Sequence, residues 1–206
     1  MEEQFDKLVK QTYRYYYVDG LVEMAVGFLF AAIGITLFSW IRLEDRGLLR
    51  VATVLVLPLL TLAGAAALKK IVGVVKERVT YPRTGYVSYR KGEPSSRRWV
   101  VPLAALGLLL LMALVPEWLT KMPAVNGAFL AIILAYMGYR VRVGRFYLLA
   151  IVTLLTGVTT AWLVEEEIVG STIVFSTTGV VMFVSGALVF LNYLRRHPAG
   201  EDGDEV

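Results

Sequence analysis

Six apolar blocks, residues 20–41, 47–68, 99–115, 124–139, 146–164 and 168–194, occupy most of this chain and leave charge mainly between them. Each is close to the roughly 17–25 residues that cross a hydrocarbon layer as a helix. No water inside such a layer bonds stray amides or carbonyls, so a spanning segment has to close its own hydrogen bonds, as a helix or within a barrel. The blocks lack the apolar/polar alternation of a barrel strand. The chain is therefore expected to be an all-α polytopic membrane protein with six transmembrane helices. A hydrophobic share of 57% over 206 residues agrees, since it leaves too little polar surface to coat a soluble globule.

Charge gives the orientation. Counted by segment, 17 of the 21 lysines and arginines fall on the side that carries both termini, and four fall on the other. Acidic residues divide 11 to 6, so the net charges of the two sides are +6 and −2. By the positive-inside rule both termini are expected to be cytoplasmic, in the cell (inner) membrane. The net charge of +4 is thus polarised across a bilayer and points to anionic lipid, with no nucleic-acid partner expected. Aromatic residues were not used in that count, yet they divide the same way. Tyr13, Tyr15, Tyr16, Tyr17, Tyr81, Tyr86, Tyr89, Tyr136, Tyr139, Tyr147 and Tyr193 all map to the inner side, with Trp99, while Trp40, Trp118 and Trp162 map to the outer one.

Residues 1–19 are expected to form an amphipathic helix in the inner interface, because Phe5, Leu8, Val9, Thr12, Tyr13 and Tyr16 recur at helical spacing. With Glu2, Glu3 and Asp6 and no apolar core, this stretch is no cleavable signal, so the first span is expected to serve as the insertion signal. Residues 20–68 hold spans one and two, with Pro58 expected to kink the second. Residues 69–98 form a basic cytoplasmic loop. At its start Leu68, Ile71, Val72 and Val75 continue span two as an apolar stripe among Lys69, Lys70 and Lys76. Residues 78–90 alternate on each side of Pro82-Arg83-Thr84-Gly85, the pattern of a short β-hairpin. Residues 99–194 hold spans three to six, and residues 195–206 an acidic tail expected to be disordered. Gly20, Gly27 and Gly34 repeat every seven residues in span one, as do Thr172, Gly179 and Gly186 in span six. Such a repeat suits close helix contact, within one chain or between subunits. Gly127, Ala131 and Ala135 suggest another tight contact in span four.

The residue types that carry most membrane-enzyme chemistry are missing. There is no cysteine, and the single histidine, His197, follows the last span, so thiolate chemistry, a His-Glu-x-x-His zinc site and a Ser-His pair within the bilayer are all excluded. No cofactor or metal is expected. Spans two to six carry no charged side chain between their ends, which argues against a proton relay or ion-coupled carrier.

Three groups remain. Glu23, about a turn inside span one, reads as a first-turn acid at the helix dipole paired with Arg14 or a loop arginine, or else as a functional buried carboxylate. The hydroxyls of Thr156, Thr159, Thr160, Ser171, Thr172, Ser176, Thr177 and Thr178 either bond to their own helix carbonyls and across to the neighbouring helix, or line a small polar cavity opening outward. Of these, Thr156, Thr160, Thr172 and Ser176 are, with Glu23, the candidate intramembrane site. The basic–aromatic layer of Arg78, Tyr81, Arg83, Tyr86, Tyr89, Arg90, Lys91, Arg97 and Arg98 suits phosphate, because arginine bonds it through two parallel N–H groups and tyrosine hydroxyls add donors. The function expected first is a non-enzymatic binding or scaffold subunit whose Arg/Tyr face engages anionic lipid headgroups or a partner protein. A small oligomeric transporter or channel comes second, and a lipid-modifying enzyme third.

Overall fold

The computed structural model describes residues 17–43, 47–80 and 121–197, which form five helices and no strand. They are α1 (Leu21–Arg42), α2 (Gly47–Val75), α3 (Met122–Val141), α4 (Arg145–Leu163) and α5 (Glu167–Arg196). A π-helical turn, Lys76–Thr80, prolongs α2. All five are long and apolar enough to cross a membrane. They match spans one, two, four, five and six to within a few residues, apart from α2, which runs past residue 68 as the stripe suggested. Pro58 lies inside that unbroken helix. Span three, residues 1–16 of the interfacial helix, residues 81–90 of the hairpin and the tail beyond His197 lie outside the described residues. One expectation is overturned: Arg78–Thr80, read as the start of a strand, belong to the π-helical turn. The helix of α2 is already closed and propagating there, so each added residue gains a backbone bond that a lone strand would lack.

Helix α1 runs antiparallel to α5 along the glycine repeat. A Cβ on Gly186 would lie 2.6 Å from the Met24 amide nitrogen, and one on Gly27 would meet the backbone of Gly179 and Phe183. Gly34 sits against Ser176 rather than Thr172. Apolar side chains have no water to escape in lipid, so close backbone approach and dispersion are what hold such helices together. The sevenfold repeat therefore describes an intramolecular contact. Helices α3 and α4 form a second antiparallel pair where Gly127 crosses Gly157, a Cβ on either reaching within 2.8 Å of the other's Cα. Between the pairs lies a core of Ala131, Leu134, Phe146, Leu149, Ala150 and Met182, with Val26 and Phe30 of α1 packed against it. Helix α2 leans on α1, Gly64 facing Leu29, and leaves Leu55, Leu59, Leu62 and Ile71 exposed.

These crossings give the bundle two unlike ends. Tyr17, Tyr136, Tyr139, Tyr147 and Tyr193 collect where α1 and α4 begin and α2, α3 and α5 finish. Trp40 and Trp162 lie at the opposite end.

Candidate functional site

The tyrosine-bearing end is built around a left-handed glycine. Gly20, at φ 76°, turns the chain from the short helical stretch at Tyr17–Val18 into α1, and it backs directly onto Gly186. A side chain there would be strained by the backbone and blocked by α5. The turn swings Asp19 inward, where its Oδ1 accepts the Leu21 amide two residues on, at 3.2 Å. Glu23 follows one turn later on the same face. Both acids are buried, each about 1% exposed.

Each buried acid meets a cation from a different helix. Lys76 Nζ lies 2.6 Å from Asp19 Oδ2, with both side chains almost wholly enclosed. Arg145 Nε, from the first residue of α4, lies 2.6 Å from Glu23 Oε2. The same guanidinium donates from Nη2 to the Tyr17 carbonyl at 2.7 Å. The Tyr17 ring meets Phe146 edge-on, at 6.5 Å between centroids. Two acids and two cations leave the cluster neutral, as burial in a low-dielectric interior requires. Together they clamp α1, α2 and α4 at one end. Glu23 Oε1 is buried with no hydrogen-bond partner among the described residues.

Sequence reasoning placed Lys76 on the polar face of the stripe, and that is corrected here. The enclosed row on α2 is Val72, Lys76 and Thr80, at 6%, 1% and 7% exposure, while Ile71 is 55% exposed. Four residues over-rotate an α-helix by about 40°. A π turn is wider, so the Lys76–Thr80 segment rotates back and keeps the row on one side. Lys76 and Arg145 were thus missed as members of a site. The available signals were the fourfold spacing from Val72 and the need of any buried acid for a cation. Glu23 does pair with an arginine of the expected loop between spans four and five, Arg145, which the structure places as the first residue of α4.

Of the basic–aromatic layer, Arg78 is exposed on the π turn. Tyr81, Arg83, Tyr86, Tyr89, Arg90, Lys91, Arg97 and Arg98 lie outside the described residues. The hydroxyl candidates are placed more fully. Thr156, Thr160 and Thr172 donate to carbonyls one turn back, on Val152, Thr156 and Ile168, at 2.7–2.8 Å. Ser176 is half-buried against Gly34. Two other members of the hydroxyl group make cross-helix contacts: Thr178 donates to Thr153 at 3.3 Å, and Ser171 accepts from Asn126 at 3.0 Å. No group of three or more potential metal-binding side chains occurs among the described residues.

No protein-family model matches this chain, and no curated protein or solved structure matches it.

Proposed function

We propose that this protein is a non-enzymatic binding or scaffold protein of the cell (inner) membrane, with both termini cytoplasmic. In this reading its basic, tyrosine-bearing face engages anionic lipid headgroups. One observation carries the proposal: the two buried acids of that end are matched by two cations drawn inward with them, Lys76 and Arg145, and the remaining cations face outward. Asp19 and Glu23 are buried and paired, whereas Lys69, Lys70, Arg78, Arg140, Arg142, Arg195 and Arg196 are exposed. Glu77 is the single exposed acid beside them among the described residues. The surface offered to a leaflet is basic, with seven exposed cations against one exposed acid among the described residues, and each cation near an anionic leaflet contributes about 1 kcal/mol.

The segment carrying Tyr81 to Arg98 follows directly from the π turn whose Lys76 is tied to Asp19, so its root is fixed to the bundle. A rigid root lowers the ordering cost of a binding segment. The hydroxyls of Thr156, Thr160 and Thr172 are engaged with their own helices, which favours this reading over a transport path through them.

The test is reconstitution in phosphatidylcholine nanodiscs with and without phosphatidylglycerol, followed by mass spectrometry of lipid retained in mild detergent. Arg83→Ala with Arg98→Ala should reduce the retained phosphatidylglycerol. Retention equal to that of the unaltered protein would remove the basis for the proposal.

A further inference from the structure

The connection between α3 and α4 carries a side chain that folding alone does not explain. Val141 is buried at 2% exposure and Val143 packs against the core, so the turn is pinned on both sides of Arg142. The amides of Phe146 and Tyr147 close it by bonding to the carbonyls of Val143 and Gly144, at 3.3 and 3.1 Å. Arg142 itself has φ 56° and ψ 42° and is the single non-glycine residue with positive φ among the described residues. A Cβ crowds the backbone in that left-handed region, and glycine is the usual occupant of such a helix end. Arg142 is also exposed, and its side chain makes no hydrogen bond, ion pair or ring contact among the described residues. A cation does favour the carboxyl end of α3, but Arg140 already occupies the last turn, and the effect is small for an exposed, screened charge.

The chain therefore places a long cation, at a strained position, where it gains little within the fold. Strain of this kind collects at binding sites. Five residues on, Tyr147 is 43% exposed, with its ring edge against Gly138, one helical turn before Arg142. Arg142 can offer two parallel N–H groups and Tyr147 a hydroxyl, the donor set that a phosphate diester accepts. Both lie at the end of two membrane-length helices; in a bilayer that these helices cross, such ends meet the lipid phosphates, where tyrosine rings are at home.

We propose that Arg142, with Tyr147, forms a fixed binding site for the phosphate of an anionic phospholipid. The inference takes its class of partner from the proposed function but rests on different residues from those of the 81–98 segment.

The experiment uses the full chain in nanodiscs of phosphatidylcholine with and without phosphatidylglycerol, and compares Arg142→Gly, Arg142→Ala and the Arg83→Ala/Arg98→Ala pair. Loss of one cation at the leaflet should lower retained phosphatidylglycerol about fivefold in both Arg142 variants. Arg142→Gly should melt at or above the temperature of the unaltered protein, and Arg142→Ala below Arg142→Gly, because only glycine relieves the backbone. Unchanged phosphatidylglycerol retention in Arg142→Gly overturns the proposal, including the case where an acidic protein rather than lipid is lost. If Arg142→Gly retains lipid while the Arg83/Arg98 variant loses it, this site fails and the proposed function stands. The reverse result supports this site and removes the other.

Discussion

Lys76 Nζ and Asp19 Oδ2 lie 2.6 Å apart, inside a contact that leaves their side chains 2% and 1% exposed. Asp19 sits in the turn that enters α1 and Lys76 in the π turn that prolongs α2, so their pairing fastens the end of α2 to the start of α1. Removing one partner of such a pair strands a buried charge and typically costs about 3–5 kcal/mol. Asp19→Asn and Lys76→Met should each destabilise the detergent-solubilised protein on that scale. The double variant should recover most of the loss, because no charge is then left unpaired. A double-mutant cycle from equilibrium unfolding measures the coupling, and simple additivity would contradict the pairing.

Glu23 and Arg145 should respond unequally to substitution. The Glu23 side chain is 0% exposed, while that of Arg145 is 21% exposed and holds a second acceptor in the Tyr17 carbonyl. Arg145→Met leaves an enclosed carboxylate without a donor, whereas Glu23→Gln leaves a guanidinium that still reaches its surroundings. Thermal melting should therefore fall further in Arg145→Met than in Glu23→Gln. Equal losses would indicate that the carboxylate is less enclosed than its packing implies.

Glycine substitutions should divide by contact. Gly186→Ala forces a Cβ to 2.6 Å from the Met24 nitrogen, and a backbone atom cannot step aside as a side-chain tip can. Separation of α1 and α5 should follow, seen as a clear drop in melting temperature. Gly73 has nothing within 4 Å of such a Cβ, so Gly73→Ala should stabilise α2 by roughly 0.5–1 kcal/mol through helix propensity alone.

The polar contact between Thr153 and Thr178 crosses α4 and α5 at 3.3 Å, with both residues 2% exposed. Thr178→Val should cost about 0.6 kcal/mol, the usual size of one interhelical bond in a membrane protein. Thr156→Val removes a bond made only to its own helix and should be close to neutral. Paired unfolding measurements on the two variants test the difference.

Much of the architecture is legible along the chain because its causes are local. Hydrocarbon-length apolar runs have to be helices, and the five described helices fall where five of those runs lie. The glycines of α1 and α5 announced a close crossing, since their spacing is set by the helix itself. The partner was not announced: one repeat suits a neighbouring subunit as well as a neighbouring helix. Apolar alternation misled at its first three residues, because Arg78, Val79 and Thr80 extend an existing helix, and alternation carries no information about a turn already formed.

The charged cluster is the clearest case of what sequence withholds. Glu23 stood out as an acid inside a span, but Lys76 read as one cation beside an apolar stripe and Asp19 as the last residue of the interfacial helix. Composition and periodicity determined the helices, the tyrosine asymmetry and the small-residue stripes, all properties of a few consecutive turns. Tertiary structure alone decided that α1 crosses α5, that a π turn aims Lys76 at Asp19, and that Arg145 closes on Glu23. The reason is physical: a charge is tolerated in a low-dielectric interior only beside its opposite. Which opposite lies beside it depends on how helix ends far apart in the chain are brought together.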